Sequence, residues 1–250
     1  MSVSLPSIAS EFRGGWQRTL YAEPATEPYQ QADTTTQVVW LQGEHWHADI
    51  RLPANGPDFS GITGLEECDR RQLEWLVKLT AFAGITQIEG EGFNSLCTWH
   101  RYQDLCPSLE RDVGLLRWID DSILEEQHPH GRYVEHWQRI SDNAAEEVIR
   151  CDEQGHLRWL QLGDHAMAIS PRPLTARSAD LFVSPSSLTD DTLRWRASLC
   201  FDYLQRLQEG WQIVLSTQPW RVGEFLEASS FIQSHCYYHS ESNNAFNQIT

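Results

Sequence analysis

No stretch of about 18 consecutive apolar residues occurs in the sequence, so no segment reads as a helix that spans a bilayer. Nor is there a basic patch. Thirty-five acidic residues stand against 19 basic ones, a formal net charge of -16 at pH 7, and gripping a phosphate backbone requires clustered Lys and Arg. Neither nucleic acid nor a membrane is therefore expected as a partner. The six cysteines, Cys68, Cys97, Cys106, Cys151, Cys200 and Cys236, form no CxxC pair and no Cys/His set at zinc spacing. The expectation is six reduced, buried thiols. The first 16 residues lack both a basic start and a continuous apolar run, which reads as a cytoplasmic chain. Also missing are a G-x-S-x-G elbow, a P-loop and an HExxH, and Gly90-Glu91-Gly92 lacks the third glycine of a dinucleotide fingerprint. Serine hydrolysis, nucleotide hydrolysis and hydride transfer have no sequence support, and no cofactor is expected.

What the chain has in excess is tryptophan, 11 in 250 residues. Hydrophobic residues make up 40% and charged residues 22%, a globular composition with ample material for a core. Short alternating segments dominate. Residues 16–22 form a strand candidate, followed by a polar, Pro-containing connection at 23–36. Residues 38–52 read as a hairpin turning at Gly43-Glu44, with Trp46, Ala48, Ile50 and Leu52 alternating against His47, Asp49 and Arg51. Near-helical spacing of Leu65, Cys68, Leu73, Leu76, Leu79 and Phe82 predicts a helix over 65–82, stopped by Gly84. Strand signals resume at 85–89, 96–102, 114–119, 122–126 and 132–140. Eight antiparallel strands with one interposed helix suit a small closed barrel or a sandwich, and the scarcity of helices disfavours a parallel sheet.

A boundary is expected within 141–145. Beyond it, 147–151, 156–162 and 164–170 predict further hairpins, and strict alternation from Leu193 to Tyr203 predicts a long strand over 193–203, with 211–217 as another. The polar end, 240–250, is expected to fray. An internal echo links the halves. Trp40-Leu41-Gln42 returns as Trp159-Leu160-Gln161 at an offset of 119, and Gly43 and His45 return as Gly163 and His165 at 120.

Gly14-Gly15-Trp16 precedes the first strand, and Arg139 closes the last strand of the first half. This arrangement resembles that of lipocalins and other calycins, in which a Trp near the chain start packs under an Arg from the closing strand. Stacked on indole, a guanidinium gains cation-π attraction and can hydrogen-bond free carbonyls. More closely, Asp33-Thr34-Thr35-Thr36-Gln37-Val38-Val39-Trp40-Leu41-Gln42, Ala48-Asp49-Ile50-Arg51-Leu52-Pro53, Cys97-Thr98-Trp99-His100-Arg101, Asp112-Val113-Gly114 and Glu135-His136-Trp137-Gln138-Arg139 resemble the poorly characterised Hri1 family over roughly residues 16–140. Ser216-Thr217-Gln218-Pro219-Trp220-Arg221 is a weaker match. The resemblance implies two tandem lipocalin-like barrels and no particular reaction.

The expected architecture is thus mainly β, two lipocalin-like antiparallel β-barrels with one or two short helices: an N-terminal barrel at 1–143 and a smaller barrel-like unit at 144–250. His45, His47, Asp49 and Arg51 share one strand face. Two histidines and a carboxylate so spaced can hold a transition metal, but pairing of Asp49 with Arg51 is the preferred reading and no metal is expected. Trp40, His47, Asp49, Arg51, Trp99, Arg101 and Glu135 are candidate pocket residues, an aromatic wall with fixed charges that suits a small hydrophobic or planar molecule. Glu135 with His100 or His47 would make an acid/base pair for a cofactor-independent isomerase, cyclase or lyase acting on a natural-product intermediate. His47, His100, His165 and His235 are the histidines a heme would need. The third reading is a structural or interaction module whose barrels are filled by their own side chains. The acidic pairs Glu66-Glu67, Glu125-Glu126, Glu146-Glu147 and Asp190-Asp191 are expected at the solvated surface.

Overall fold

A computed structural model describes residues 5–90, 95–141, 145–175 and 178–227. His235, Gly92, the polar end at 240–250 and residues 142–144 of the expected boundary lie outside the described residues.

The first half is a closed barrel. Its strands are β1 (Gly14–Glu23), β3 (Gln37–Gln42), β4 (Trp46–Leu52), β5 (Thr80–Glu89), β6 (Ser95–Asp104), β7 (Asp112–Trp118), β8 (Ile123–Gln127) and β9 (Val134–Arg139), with a short β2 (Gln31–Asp33) folded back on β1. Neighbours pair antiparallel in the order β1-β3-β4-β5-β6-β7-β8-β9, and β9 returns to β1, with Trp16 opposite Arg139 and Tyr21 opposite Glu135. Closure by the last pairing leaves these eight strands without a free edge. β2 lies inside the stretch expected to be a plain connection.

The second half is a six-stranded antiparallel sheet: β10 (Glu147–Cys151), β11 (Leu157–Leu162), β12 (His165–Ser170), β13 (Cys200–Leu207), β14 (Gly210–Ser216) and β15 (Phe225–Leu226), paired in chain order. Among the described residues β10 and β15 do not pair with each other, so this sheet is open. Two helices, α1 (Arg70–Leu76) and α2 (Asp190–Ala197), pack on one another. No helix among the described residues is long and apolar enough to cross a membrane.

Both helical segments depart from the sequence expectation. α1 is shorter than 65–82. Asp69 caps it, accepting from the Gln72 amide at 2.8 Å while the Gln72 side chain accepts from the Asp69 amide at 2.7 Å, and the helix ends at Val77. Leu79 packs into the core from the link, and Phe82 already belongs to β5. The spacing of those two apolar residues mimicked a further helical turn. The expected strand over 193–203 is overturned at its start, since residues 190–197 are helical and pairing begins only at Cys200. Thr189 caps α2 by accepting from Thr192, Asp190 and Asp191 fill the first turn, and Leu193 and Ala197, four apart, are buried on one face. Period-two alternation over 193–199 was incidental.

The echo between halves is structural. Trp40 Nε1 donates to Gln42 Oε1 at 3.2 Å, and Trp159 Nε1 donates to Gln161 Oε1 at 3.4 Å. It extends beyond the motif, for Leu73, Trp75 and Leu79 around α1 return as Leu193, Trp195 and Leu199 around α2 at an offset of 120. The halves pack back to back through equivalent faces. Leu41, Ile50, Ala81 and Ala83 on the outside of the barrel share one core with Leu160, Ile169, Phe201 and Tyr203 of the second sheet. Burying both faces of β3, β4 and β5, one in the lumen and one against that sheet, explains their nearly continuous burial.

Candidate functional site: the barrel lumen

Alternation along the strands decides which side chains enter the lumen. Trp40, His47, Asp49, Arg51, Phe82, Trp99, Arg101, Glu135 and Trp137 all do, so the seven residues expected to line a pocket lie on one surface. The tryptophans form a continuous cluster: Trp40 stacks on Trp16 at 5.9 Å and meets Trp99 and Trp137 edge-on at 5.7 and 5.6 Å. Trp16 closes one end beneath the guanidinium of Arg139.

Charges thread through this cluster as ion pairs. Arg51 donates from Nε to Asp49 Oδ1 at 2.9 Å and from Nη1 to Glu135 Oε1 at 3.1 Å, and Arg18 Nη1 reaches the same Glu135 oxygen at 2.6 Å. Arg101 lies 3.5 Å from the Phe82 ring centre and donates to Asp112 at 2.7 Å and Asp104 at 3.3 Å. Burial alone would lower the Arg51 pKa, but Asp49 and Glu135 outweigh it and raise it well above the usual range. Lys78 is the only lysine in the chain, so the lumen network, like nearly all basic contacts here, uses guanidinium groups, which supply several donors in fixed directions.

Glu126 is the residue that sequence reading missed. Expected at the surface with Glu125, it is 3% exposed and projects into the lumen, opposite Glu135 in the strand register. Among the described residues no arginine pairs with it. Its carboxyl accepts from Tyr133 Oη and from Trp137 Nε1, both at 3.2 Å. Burial first, then the neighbouring Glu135 and Asp112, push its pKa well up, so it holds its proton toward neutral pH. Gly114 was the available signal. A Cβ there would come within 2.6 Å of Glu126 Cγ, so the bare backbone of β7 makes room for the acid. Glu147 likewise leaves the expected surface position, accepting from the Glu44 amide at 3.0 Å beside Gly43.

The histidines do not assemble into a site. His47 Nδ1 lies 3.0 Å from Thr86 Oγ1, which donates to Gln42 Oε1 at 2.7 Å. Because Thr86 spends its proton on Gln42, it accepts from His47, which fixes the Nδ1-H tautomer. Burial above all, with Arg101 and His100 adding to it, lowers the His47 pKa well below the usual value, so the ring is neutral. His45 lies outside the lumen, with Nδ1 2.9 Å from the Pro6 carbonyl. His100 faces outward, with Nε2 3.3 Å from Gln87 Oε1, while Glu135 points inward to two arginines. The candidate acid/base pair of His100 and Glu135 is not brought together. His165 stands apart in the second sheet, bonded to Tyr203 Oη at 2.6 Å. Among the described residues no group of three or more His, Cys, Asp or Glu could hold a metal. Cys68, Cys97, Cys106 and Cys200 are free thiols, but Cys151 is disulfide-bonded, against the expectation of six reduced thiols.

A void of about 10 Å³ lies between Trp40, Trp99, Trp137, Phe82, Arg51 and Glu126, room for about one water molecule. A closed barrel with a buried aromatic cluster is an architecture compatible with ligand binding, and it identifies no ligand.

No family model matches the chain, and no curated protein matches it. Among solved structures it is similar to the crystal structure of an uncharacterized protein, YLR301w, from Saccharomyces cerevisiae, at 12% identity and a TM-score of 0.51, over 88% of this chain and 91% of that one. At that identity the likeness is one of fold.

Proposed function

We propose that this is a non-catalytic binding protein whose barrel is a self-filled scaffold and whose ligands are held outside the lumen. The observation that carries the reading is the 10 Å³ void within a lumen occupied by tryptophans and ion pairs, against the roughly 300 Å³ or more that a small-molecule pocket offers. The residues first expected to line a pocket, Trp40, His47, Asp49, Arg51, Trp99, Arg101 and Glu135, then act as a packed, ion-paired network that holds the barrel rigid. A second reading keeps a small hydrophobic or planar ligand in the lumen. It is favoured by Glu135 Oε2, a buried oxygen with no hydrogen-bond partner, beside the neutral acid of Glu126. An isomerase, cyclase or lyase draws less support, because His100 and Glu135 face opposite sides of the barrel wall.

The repeat at offsets of 119 and 120 supports a tandem lipocalin-like origin divided near residues 143 and 144, and with it the resemblance to the Hri1 family. Four free thiols favour a reducing compartment such as the cytoplasm, with the disulfide at Cys151 the feature against it.

Near-ultraviolet circular dichroism tests the scaffold reading, because the lumen holds the coupled tryptophans. Native mass spectrometry of protein from its own source identifies any co-purifying molecule, and titrating that molecule back should leave the tryptophan signal unchanged. A ligand that alters the signal and is lost on Trp99→Leu would move the site into the lumen.

A further inference from the structure

At the rim of the barrel, where the end of β6 meets the second sheet, lies an open groove of about 300 Å³ that shares Arg101 with the lumen. Its lining carries Arg101, Arg158, Arg172 and His156 against a single carboxylate, Asp104, in a protein whose net charge is -16. Asp104 is already committed to Arg101 and to the Cys106 amide. Arg158 gives Nη2 to Asp152, while its buried Nη1 has no hydrogen-bond partner. Arg172 spends its donors on three backbone carbonyls, those of Arg196, Asp104 and Leu105. Among the described residues neither Arg172 nor the adjacent, 2% exposed Arg196 forms an ion pair, and the carboxylate that acts on Arg172, Asp104, is shared with Arg101. Burial first, and then Arg196, lower the Arg172 pKa to about 10, and Asp104 offsets this only in part. The other wall is apolar, built by Leu174, Leu181, Phe182 and Leu199, of which Leu174 and Phe182 are exposed.

We infer that this groove binds a small amphipathic anion, a carboxylate or sulfonate on an apolar body, with the anionic head at Arg158 and Arg172 and the body against Phe182 and Leu181. An anion there would add counter-charge beside Arg172, which forms no ion pair among the described residues, and accept from the unpartnered Arg158 Nη1, gains that a neutral molecule of the same shape cannot match. A phosphate-rich polymer is disfavoured by the acidic remainder of the surface. The inference rests on the scaffold reading, since it places the ligand outside the barrel.

The probes are 1-anilinonaphthalene-8-sulfonate, followed by its fluorescence, and decanoate as competitor, with decanol as the neutral control, all on the full chain. Expected are saturable binding at one site per chain, displacement by decanoate at least tenfold better than by decanol, a tenfold or greater loss in Arg158→Gln, and a several-fold loss in the exposed-residue variant Phe182→Ala. Both variants should keep the parent circular dichroism spectrum. Equal displacement by decanol and decanoate, no saturation, or indifference to both substitutions would overturn the groove site. Binding abolished by Trp99→Leu but untouched by Phe182→Ala and Arg158→Gln would instead overturn the scaffold reading, so the two failures are distinguishable.

Discussion

The guanidinium carbon of Arg139 lies 4.2 Å from the centre of the Trp16 ring, while Nη1 donates to the Arg13 carbonyl at 2.7 Å and Nη2 to that of Glu11 at 2.5 Å. One side chain thereby joins β9 to β1 and ties down the segment before β1. Arg139→Ala should lower stability by about 1–3 kcal/mol through lost stacking and lost charged hydrogen bonds. Arg139→Lys should recover only part, because an ammonium cannot serve both carbonyls in one plane. Chemical denaturation of the three proteins checks this, and an unchanged midpoint in the alanine variant would remove the plug from the account.

Arg51 stands between Asp49 and Glu135 with all three largely removed from water. Arg51→Met should cost about 3–5 kcal/mol, since it strands Asp49 and leaves Glu135 with Arg18 alone. The double variant Arg51→Met/Asp49→Leu should regain much of that loss, because the buried charges leave together. A double variant no more stable than the single one would argue against an ion-pair network and for a packing role of Arg51.

Glu126 gives stability a pH dependence with a definite sign. Its folded pKa is raised, so between the ordinary glutamate value and the folded value the unfolded chain is ionised while the folded chain keeps its proton. In that window stability falls as pH rises. Glu126→Gln stays neutral, can accept from Trp137 and donate to Tyr133, and removes the dependence. The variant should therefore gain on the parent as pH rises from 5 to 8, by about 1 kcal/mol or more. Melting temperatures that keep a constant gap across that range would show that Glu126 is ionised in the folded protein.

Gly84 faces a register shift between β5 and β6, and a Cβ there would lie 1.8 Å from the His100 carbonyl oxygen. The obstacle is backbone and cannot rotate away. Gly84→Ala should destabilise at the upper end of about 1–3 kcal/mol. Gly61→Ala supplies a contrast: its φ of +80° disfavours a side chain, but nothing lies within 4 Å, so the loss should be smaller. Thermal unfolding of both variants tests the ordering.

Much of the barrel was legible in the chain. The hairpin of β3 and β4 and the pairing of Asp49 with Arg51 follow from period-two spacing and turn residues, because those relations are local or lie on one strand face, while Arg139 was expected over Trp16 only from the resemblance to calycins. The site was legible as a set of residues but not as a place. Both faces of β3, β4 and β5 are buried, one in the lumen and one against the second sheet, so hydrophobicity could not say which face looked inward. α2 was misread because Leu193, Trp195 and Ala197 alternate as a strand would, while the cap at Thr189 and the packing against α1 favour a helix. Glu126 looked like a surface acid because its burial depends on the absence of a side chain at Gly114, a neighbour on the adjacent strand.

By itself, then, the sequence determined the tryptophan-rich β class, the hairpin over 38–52 and the internal repeat, all properties of short spacing and composition. Tertiary structure alone decided that Glu126 turns into the lumen, that a void of about 10 Å³ lies among Trp40, Trp99, Trp137 and Glu126, and that Arg158 and Arg172 meet an apolar wall in one groove. Those outcomes depend on contacts between residues far apart in the chain, whose energies no local pattern records.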